Sequence, residues 1–565
     1  MTPARRLRIP VSISIVGLLL GSLFFAASLT PTLVPRTYVT QGALSGFCWA
    51  AGYGIGLLAR KLWSYLELPF LPERPTRIAA ACAVLASATV LIVSLWRAAP
   101  WQNSIRGLMG LPPEPTAHPL QVLGIAVVTA TLILVAGMAF QALRRFASAR
   151  ADRVVPRRIA NVFGIAIAVV AFWSVANGLI FRAALRVMDS SFERLDALFE
   201  PERMQPTSPL KTGSPASLLK WDELGRTGRG FVVSGPSGAD ISAFTTKDAL
   251  DPIRVYVGLR SAETARDRAK LALEELKRVR AFDRSILIVI TPTGTGWVDP
   301  SAMDSVEYLH NGDVASVALQ YSYLSSPLSL IVEPEYGAEA ARALFTEIYA
   351  YWTALPKDKR PKLYLHGLSL GSMNSEKSFE MFELIGDPIN GALWSGPPFR
   401  NRLWRTITDD RNAGSPAWLP EFRNGAFVRF ANQNGFTVPP QTPWGPMRVV
   451  YLQYASDAIT FFDPRDVFRE PAWMKLPRGP DVAPELRWYP VVTMLQLALD
   501  MAVATTTPLG YGHVYAPAHY IDAWIAVTGA EGWSPENLAR LKRHLTSQWT
   551  APTSSRSPTQ DDRGG

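Results

Sequence analysis

Five uncharged, apolar stretches open the chain, at residues 11–29, 42–58, 78–95, 122–140 and 159–180. A helix of about 20 such residues crosses a hydrocarbon core and satisfies its own backbone polar groups there. Residues 1–185 are therefore expected to form a bundle of about five transmembrane helices. Residues 186–228 turn polar, with Pro206, Pro209, Ser214 and Pro215 following an amphipathic patch at residues 192–199, the pattern of a juxtamembrane helix and linker. From 229 to 550 short apolar runs alternate with helical periods, notably at 231–234, 253–259, 262–280, 286–290, 314–321, 338–352 and 363–366. Runs rich in Ile, Val and Tyr between amphipathic helices predict an α/β domain whose mostly parallel sheet is covered on both faces. Residues 551–565, rich in Ser, Pro, Thr and charge, read as a disordered tail.

Charge adds an orientation. Arginine and lysine crowd the N-terminus (Arg5, Arg6, Arg8), the second connection (Arg60, Lys61, Arg74, Arg77) and the fourth (six arginines from Arg144 to Arg158), while the other connections carry only Arg36, Arg97 and Arg106. The alternation predicts an inner-membrane protein with a cytoplasmic N-terminus and, after five spans, an extracytoplasmic C-terminal domain. The net charge of +10 is thereby assigned to lipid headgroups and topology, with no nucleic-acid partner. A signal peptide ending near Ala26-Ala27-Ser28 is the alternative for the first stretch. No Asp, Glu, Lys or His interrupts a span, so anchoring is a stronger role for the bundle than transport. Gly17 with Gly21 and Gly52 with Gly56 have the spacing at which helices pack closely, although ordinary membrane glycine explains them as well. The two cysteines, Cys48 and Cys82, make neither a disulfide framework nor a metal cluster; no metal or cofactor is expected.

The candidate chemistry centres on Gly367-Leu368-Ser369-Leu370-Gly371, which follows the apolar run of residues 363–366. A strand ending in Gly-x-Ser-x-Gly before a helix is the pattern of a nucleophile elbow: the turn strains the serine backbone and lifts its hydroxyl above the sheet edge. A serine nucleophile needs a base, and a carboxylate to orient that base. Of the six histidines, His118 lies in a membrane connection, His310 before an earlier strand, His366 on the elbow strand and His544 in the terminal helix. His513 and His519 are left. His513 follows Gly510 and Gly512, which permit a tight loop that aims an imidazole; His519 reads equally as a helix residue facing water. Asp457, at the end of the apolar run 449–454, is the first choice of carboxylate, against the plain reading of a turn or cap aspartate. Asp463 is the reserve.

Acyl transfer also needs donors for a developing oxyanion. The Leu370 amide would be one. The second is expected from Thr293 or Gly294 in the loop after residues 286–290, where a plain turn is the alternative. No Lys-Ser/Thr follows that loop, so its glycines do not make a nucleotide site.

Several of these segments, among them Thr291-Pro-Thr-Gly-Thr-Gly-Trp297, the elbow, Gly391-Ala-Leu-Trp-Ser-Gly396, Tyr454-Ala-Ser-Asp457 and Gly510-Tyr-Gly-His513, together resemble a bacterial family of membrane-anchored α/β-hydrolases with a multi-span N-terminal domain. The resemblance covers nearly the whole chain. It implies the α/β-hydrolase fold and points to Ser369, Asp457 and His513, whereas His519 matches no motif of the family. Leu368 departs from it, standing where a more variable, often acidic residue is expected. Aromatic insertions between the run at 392–394 and that at 449, and again between Asp457 and His513, suit a cap over a pocket for an apolar ester or acyl group. The expected activity is a serine esterase acting on a lipid or envelope-linked substrate near the bilayer. An acyltransferase using the same triad is the nearest alternative, and a non-catalytic lipid-binding or scaffold protein the alternative from another class.

Overall fold

The structure, a computed structural model, describes residues 14–70, 72–174, 203–324 and 335–550. The N-terminal arginines, the amphipathic patch at 192–199, the end of the fifth apolar stretch and the tail at 551–565 lie outside these residues. The chain divides into two compact units: one of residues 1–181, 463–474 and 482–500, the other of 182–462, 475–481 and 501–565.

The first unit holds helices α1 (Ile15–Ser28), α2 (Tyr38–Tyr65), α3 (Glu73–Leu108), α4 (Pro119–Ala151) and α5 (Arg157–Trp173). Each apolar stretch thus becomes a helix, but three of them, α2 to α4, are long and apolar enough to cross a membrane. Among the described residues, then, three helices meet the criteria for a span where five spans were expected. Helix α1 has only 14 residues, because Leu29 already caps it, and the described part of α5 has 17. Counting apolar residues had included flanking positions that are not helical or not described. The two glycine pairs meet at one interface: a Cβ on Gly56 would lie 2.4 Å from the Gly17 Cα, and one on Gly52 2.7 Å from the Leu20 carbonyl oxygen. Small residues at these positions let α1 and α2 approach backbone to backbone.

Residues 463–474 and 482–500, from the insertion expected to form a cap, cluster with these helices instead. Val492 packs with Leu44 and Cys48 of α2, so apolar burial explains the departure.

The second unit is built on an eight-stranded sheet of order β1-β3-β2-β4-β5-β8-β6-β7. The strands are β1 (Ile253–Val257), β2 (Ile286–Thr291), β3 (Val314–Leu319), β4 (Lys362–Leu368), β5 (Gly391–Ser395), β6 (Val428–Asn432), β7 (Gly435–Phe436) and β8 (Arg448–Leu452). All neighbours run parallel except β6 and β7. Strands β1, β2, β3, β5 and β6 are buried along their whole length, as expected of a parallel sheet with helices on both faces. Helices Ala265–Arg278 and Tyr336–Ala354 pack together in one layer, and Pro300–Leu309 and Pro517–Thr528 in another. Part of the first aromatic insertion extends the sheet: β6 and β7 arise within it, and Phe430 stacks on Tyr451 of β8. The apolar run at 231–234 closes a helix, Gly225–Ser234, which is held to the sheet by the buried Arg254. Arg254 donates to the Phe231 carbonyl at 3.1 Å and forks onto Glu307 at 2.8 and 2.7 Å.

The loops after β2, β4, β5 and β8 leave the sheet at its carboxyl edge, where parallel α/β proteins gather their reactive groups. At the end of β4 the backbone is packed too tightly for a side chain. A Cβ on Gly367 would lie 2.4 Å from the Gly371 carbonyl carbon, and one on Gly371 2.2 Å from the Thr291 carbonyl oxygen. These neighbours are backbone and cannot rotate away. Gly371→Ala should therefore cost about 1–3 kcal/mol, whereas Gly386→Ala, with nothing within 4 Å of its Cβ, should stay within about 0.5 kcal/mol of the wild type. Thermal unfolding of the detergent-solubilised variants makes the comparison, and equal losses would contradict it.

Candidate active site

Ser369 sits between β4 and the helix Leu370–Glu376 with φ 57° and ψ −126°. A non-glycine residue there stores about 1–3 kcal/mol of strain and persists only where its surroundings hold it. They do: its N–H donates to the Ser395 carbonyl of β5 at 3.0 Å, and its carbonyl accepts from the amides of Ser372 at 2.9 Å and Met373 at 3.3 Å. Strand and helix thus grip the serine backbone from opposite sides.

The other two groups arrive from later loops. Asp457 follows β8 and His513 lies in the loop before helix Pro517–Thr528. His513 Nδ1 donates to Asp457 Oδ2 at 2.7 Å, with the two side chains 6% and 0% exposed. A neutral imidazole donating from Nδ1 keeps its lone pair on Nε2, the tautomer of a general base. Asp457 Oδ1 accepts from the Ile459 amide at 3.0 Å, so the residue also caps a short helix; the cap reading and the partner reading are both true, one on each oxygen. The imidazole packs on Gly396, where a Cβ would lie 2.5 Å from its Cε1. Ser395 and Gly396, adjacent in sequence, therefore hold the serine amide on one side and the histidine ring on the other.

Residues 253–541, just over half of the chain, match the profile of an alpha/beta-hydrolase family. The chain belongs to this alpha/beta-hydrolase family. Residues 29–236 match the profile of the family's N-terminus. No curated protein and no solved structure matches the chain.

The remaining candidates have other partners. Asp463 caps its own turn and pairs with Arg465 at 2.7 Å. His519 is bonded through Nδ1 to the Tyr454 hydroxyl at 2.5 Å, and burial pushes it down to about 4. His366 donates to the Leu393 carbonyl at 2.8 Å and is likewise pushed to about 4 by burial. Both rings stay neutral at physiological pH and serve the core.

The loop after β2 lies against the elbow, as the close approach of Thr291 to Gly371 shows. Thr293, however, donates its amide to the Trp297 carbonyl at 2.9 Å, which corrects the expectation that this N–H points at an oxyanion. Gly294 lies in the same turn. The Leu370 amide is the first of its helix, where no carbonyl stands one turn back to accept it. Among the described residues no group of three or more His, Cys, Asp or Glu could hold a metal ion.

Two contributors carry no sequence signal beyond their identity. Tyr515 donates its hydroxyl to Asp457 Oδ2 at 2.8 Å. Burial holds that hydroxyl well above its ordinary range, so it remains a donor. Glu376, at the far end of the elbow helix, accepts from the Tyr451 hydroxyl at 2.7 Å, Asn401 Nδ2 at 2.9 Å and the Leu403 amide at 3.2 Å. Burial nevertheless pushes its carboxyl up to about 7. An unfolded glutamate titrates at about 4.3. Between the two values the unfolded chain has lost a proton that the folded carboxyl keeps, so this contribution to stability declines as pH rises from about 4.3 to about 7 and is constant above. The decline amounts to roughly 4 kcal/mol at most. Glu376→Gln should flatten the pH dependence of Tm across that interval, and a curve that keeps the wild-type slope would refute the assignment.

Proposed function

We propose that the protein is a membrane-anchored serine hydrolase that cleaves an ester. The reading is carried by the 2.7 Å bond from His513 to Asp457 at the sheet edge that also presents Ser369 on its strained turn. His513 Nε2 takes the hydroxyl proton as Ser369 Oγ attacks the carbonyl carbon, and the Leu370 amide stabilises the oxyanion. The tetrahedral intermediate collapses, and the leaving alcohol departs with the proton from His513. A water molecule, deprotonated by the same imidazole, then attacks the acyl-serine and releases the acid. The Asp457 carboxylate steadies the imidazolium, with Tyr515 holding it in place. Phe399 and Phe462, edge to face at 5.2 Å on the loops after β5 and β8, suit an apolar acyl group from a lipid or envelope-linked ester.

Helices α2 to α4, long and apolar enough to cross a membrane, supply the anchoring. Within the first unit the C-terminal segment 482–500 bonds to Leu33, Arg36 and Ser104, at the helix ends opposite the Arg-rich connections. By the positive-inside rule that end is extracytoplasmic, and the hydrolase domain with it.

A fluorophosphonate probe should label the wild type and neither Ser369→Ala nor His513→Ala. Asp457→Asn should slow labelling by about three to four orders of magnitude, and Tyr515→Phe by about tenfold. A folded wild type that resists the probe would sink the reading. Turnover of an ester with water, against transfer of its acyl group to an added alcohol, separates hydrolase from acyltransferase.

For orientation, cysteines placed singly at the exposed positions Glu67 and Glu531 should react with an impermeant thiol reagent from the cytoplasmic and the outer side respectively. Reaction of both from the same side would overturn the topology.

A further inference from the structure

The segment between the carboxylate and the histidine is held by the N-terminal helices through a charge. Arg36, in the connection between α1 and α2, and Asp500, in helix Val492–Ala502, form an ion pair with both side chains at zero exposure. Arg36 donates to Asp500 Oδ1 from Nε at 3.0 Å and from Nη2 at 2.7 Å, while Asp500 Oδ2 accepts the Leu33 amide at 3.1 Å. One turn earlier, Gln496 Nε2 reaches the carbonyls of Ala27, Ser28 and Thr30. Apolar residues often replace a buried ion pair without loss of stability, so a fully bonded pair is a candidate for positioning rather than for stability alone.

What it positions lies directly along the chain. Beyond Asp500 the helix ends at Ala502 and runs into the turn Ala504–Thr506. The Ala504 carbonyl accepts the His513 amide at 3.0 Å. Thr507, next along, donates its hydroxyl to the Tyr511 carbonyl at 2.6 Å. The loop that aims the imidazole is thus built on residues 504–507, and the preceding turns of chain are pinned to the N-terminal helices. The link between the two is the polypeptide itself.

We propose that Arg36 and Asp500 are positioning residues for His513, so that the N-terminal helical domain is a working part of the catalytic machinery as well as an anchor. The inference rests on the serine-hydrolase reading for its effect on turnover, but the link itself is measurable without activity.

The test uses the full chain in detergent and two variants: Asp500→Ala, and Arg36→Met with Asp500→Leu, which leaves no orphaned charge. Hydrogen exchange of the amides from 504 to 513 should become about tenfold faster in both, while β2 and β4 keep their wild-type protection. On a chromogenic ester, kcat should fall about tenfold to a hundredfold with KM unchanged. Unchanged exchange at 504–513 in a folded variant would overturn the proposal, as would wild-type kcat. A uniform rise that includes β2 and β4 would also overturn it, in favour of plain stability. If the double variant does not fold, Asp500→Asn, which keeps the side-chain shape and an acceptor for Leu33, serves for the same comparison. A wild type without turnover would count against the hydrolase reading alone, since the exchange measurement still judges the link.

Discussion

The sharp turn at Ser369 depends on the absence of two side chains. Gly367 and Gly371 let the end of β4, the first turn of the helix after it and the carbonyl of Thr291 occupy space that a Cβ would fill. That approach forces Ser369 to φ 57°, and the hydrogen bond to Ser395 fixes which neighbouring strand the turn leans on. The imidazole packs on Gly396, next in sequence to the Ser395 that accepts the serine amide, so it lies beside this crossing. Strain at one residue is tolerable because the parallel sheet, buried on both faces, cannot relax around it.

A second theme is how buried charge is handled. Asp457, Glu376, Arg254, Arg36 and Asp500 are each taken from water, and each is met by charge-assisted hydrogen bonds. The outcomes differ with the partners. Arg254 forks onto the Glu307 carboxylate, and Arg36 closes on Asp500 Oδ1 with two N–H donors. Glu376 faces only neutral donors, which do not offset desolvation, and its carboxyl drifts toward neutrality. The hydrogen bonds that tie the elbow helix to Asn401 and Tyr451 therefore involve a group that titrates near physiological pH, and the support of the Ser369 turn from behind is sensitive to it.

The family's two profile matches, at residues 29–236 and 253–541, run consecutively along the sequence, whereas the compact units interleave. Residues 463–474 and 482–500 lie inside the stretch matched as hydrolase and cluster with the N-terminal helices. A helical unit that could be exchanged for any other would not need an insertion of the hydrolase sequence, nor a buried arginine to receive it.

Much of this was legible along the chain. Apolar run length located α1 to α5, and β-branched runs located β1 to β5 and β8, because burial on both faces keeps polar positions in the strands few. Glycine spacing marked the elbow, and elimination left His513 and His519, of which the fold pairs the former with Asp457. Local signals could not count the spans, since whether flanking residues join a helix is decided by capping and packing. They missed β6 and β7, short strands within an aromatic insertion whose pairing partner is β8. Nor could they show that Thr293 commits its amide to a turn, that Tyr515 shares Asp457 with the histidine, or that Asp500 belongs with Arg36. The sequence by itself determined which segments are strand, helix and elbow, because those follow from periodicity and steric freedom within a few residues. Which polar groups meet was decided only by the tertiary structure, because an isolated Asp, Tyr or Arg has no periodicity and its partner's distance along the chain is set by the fold.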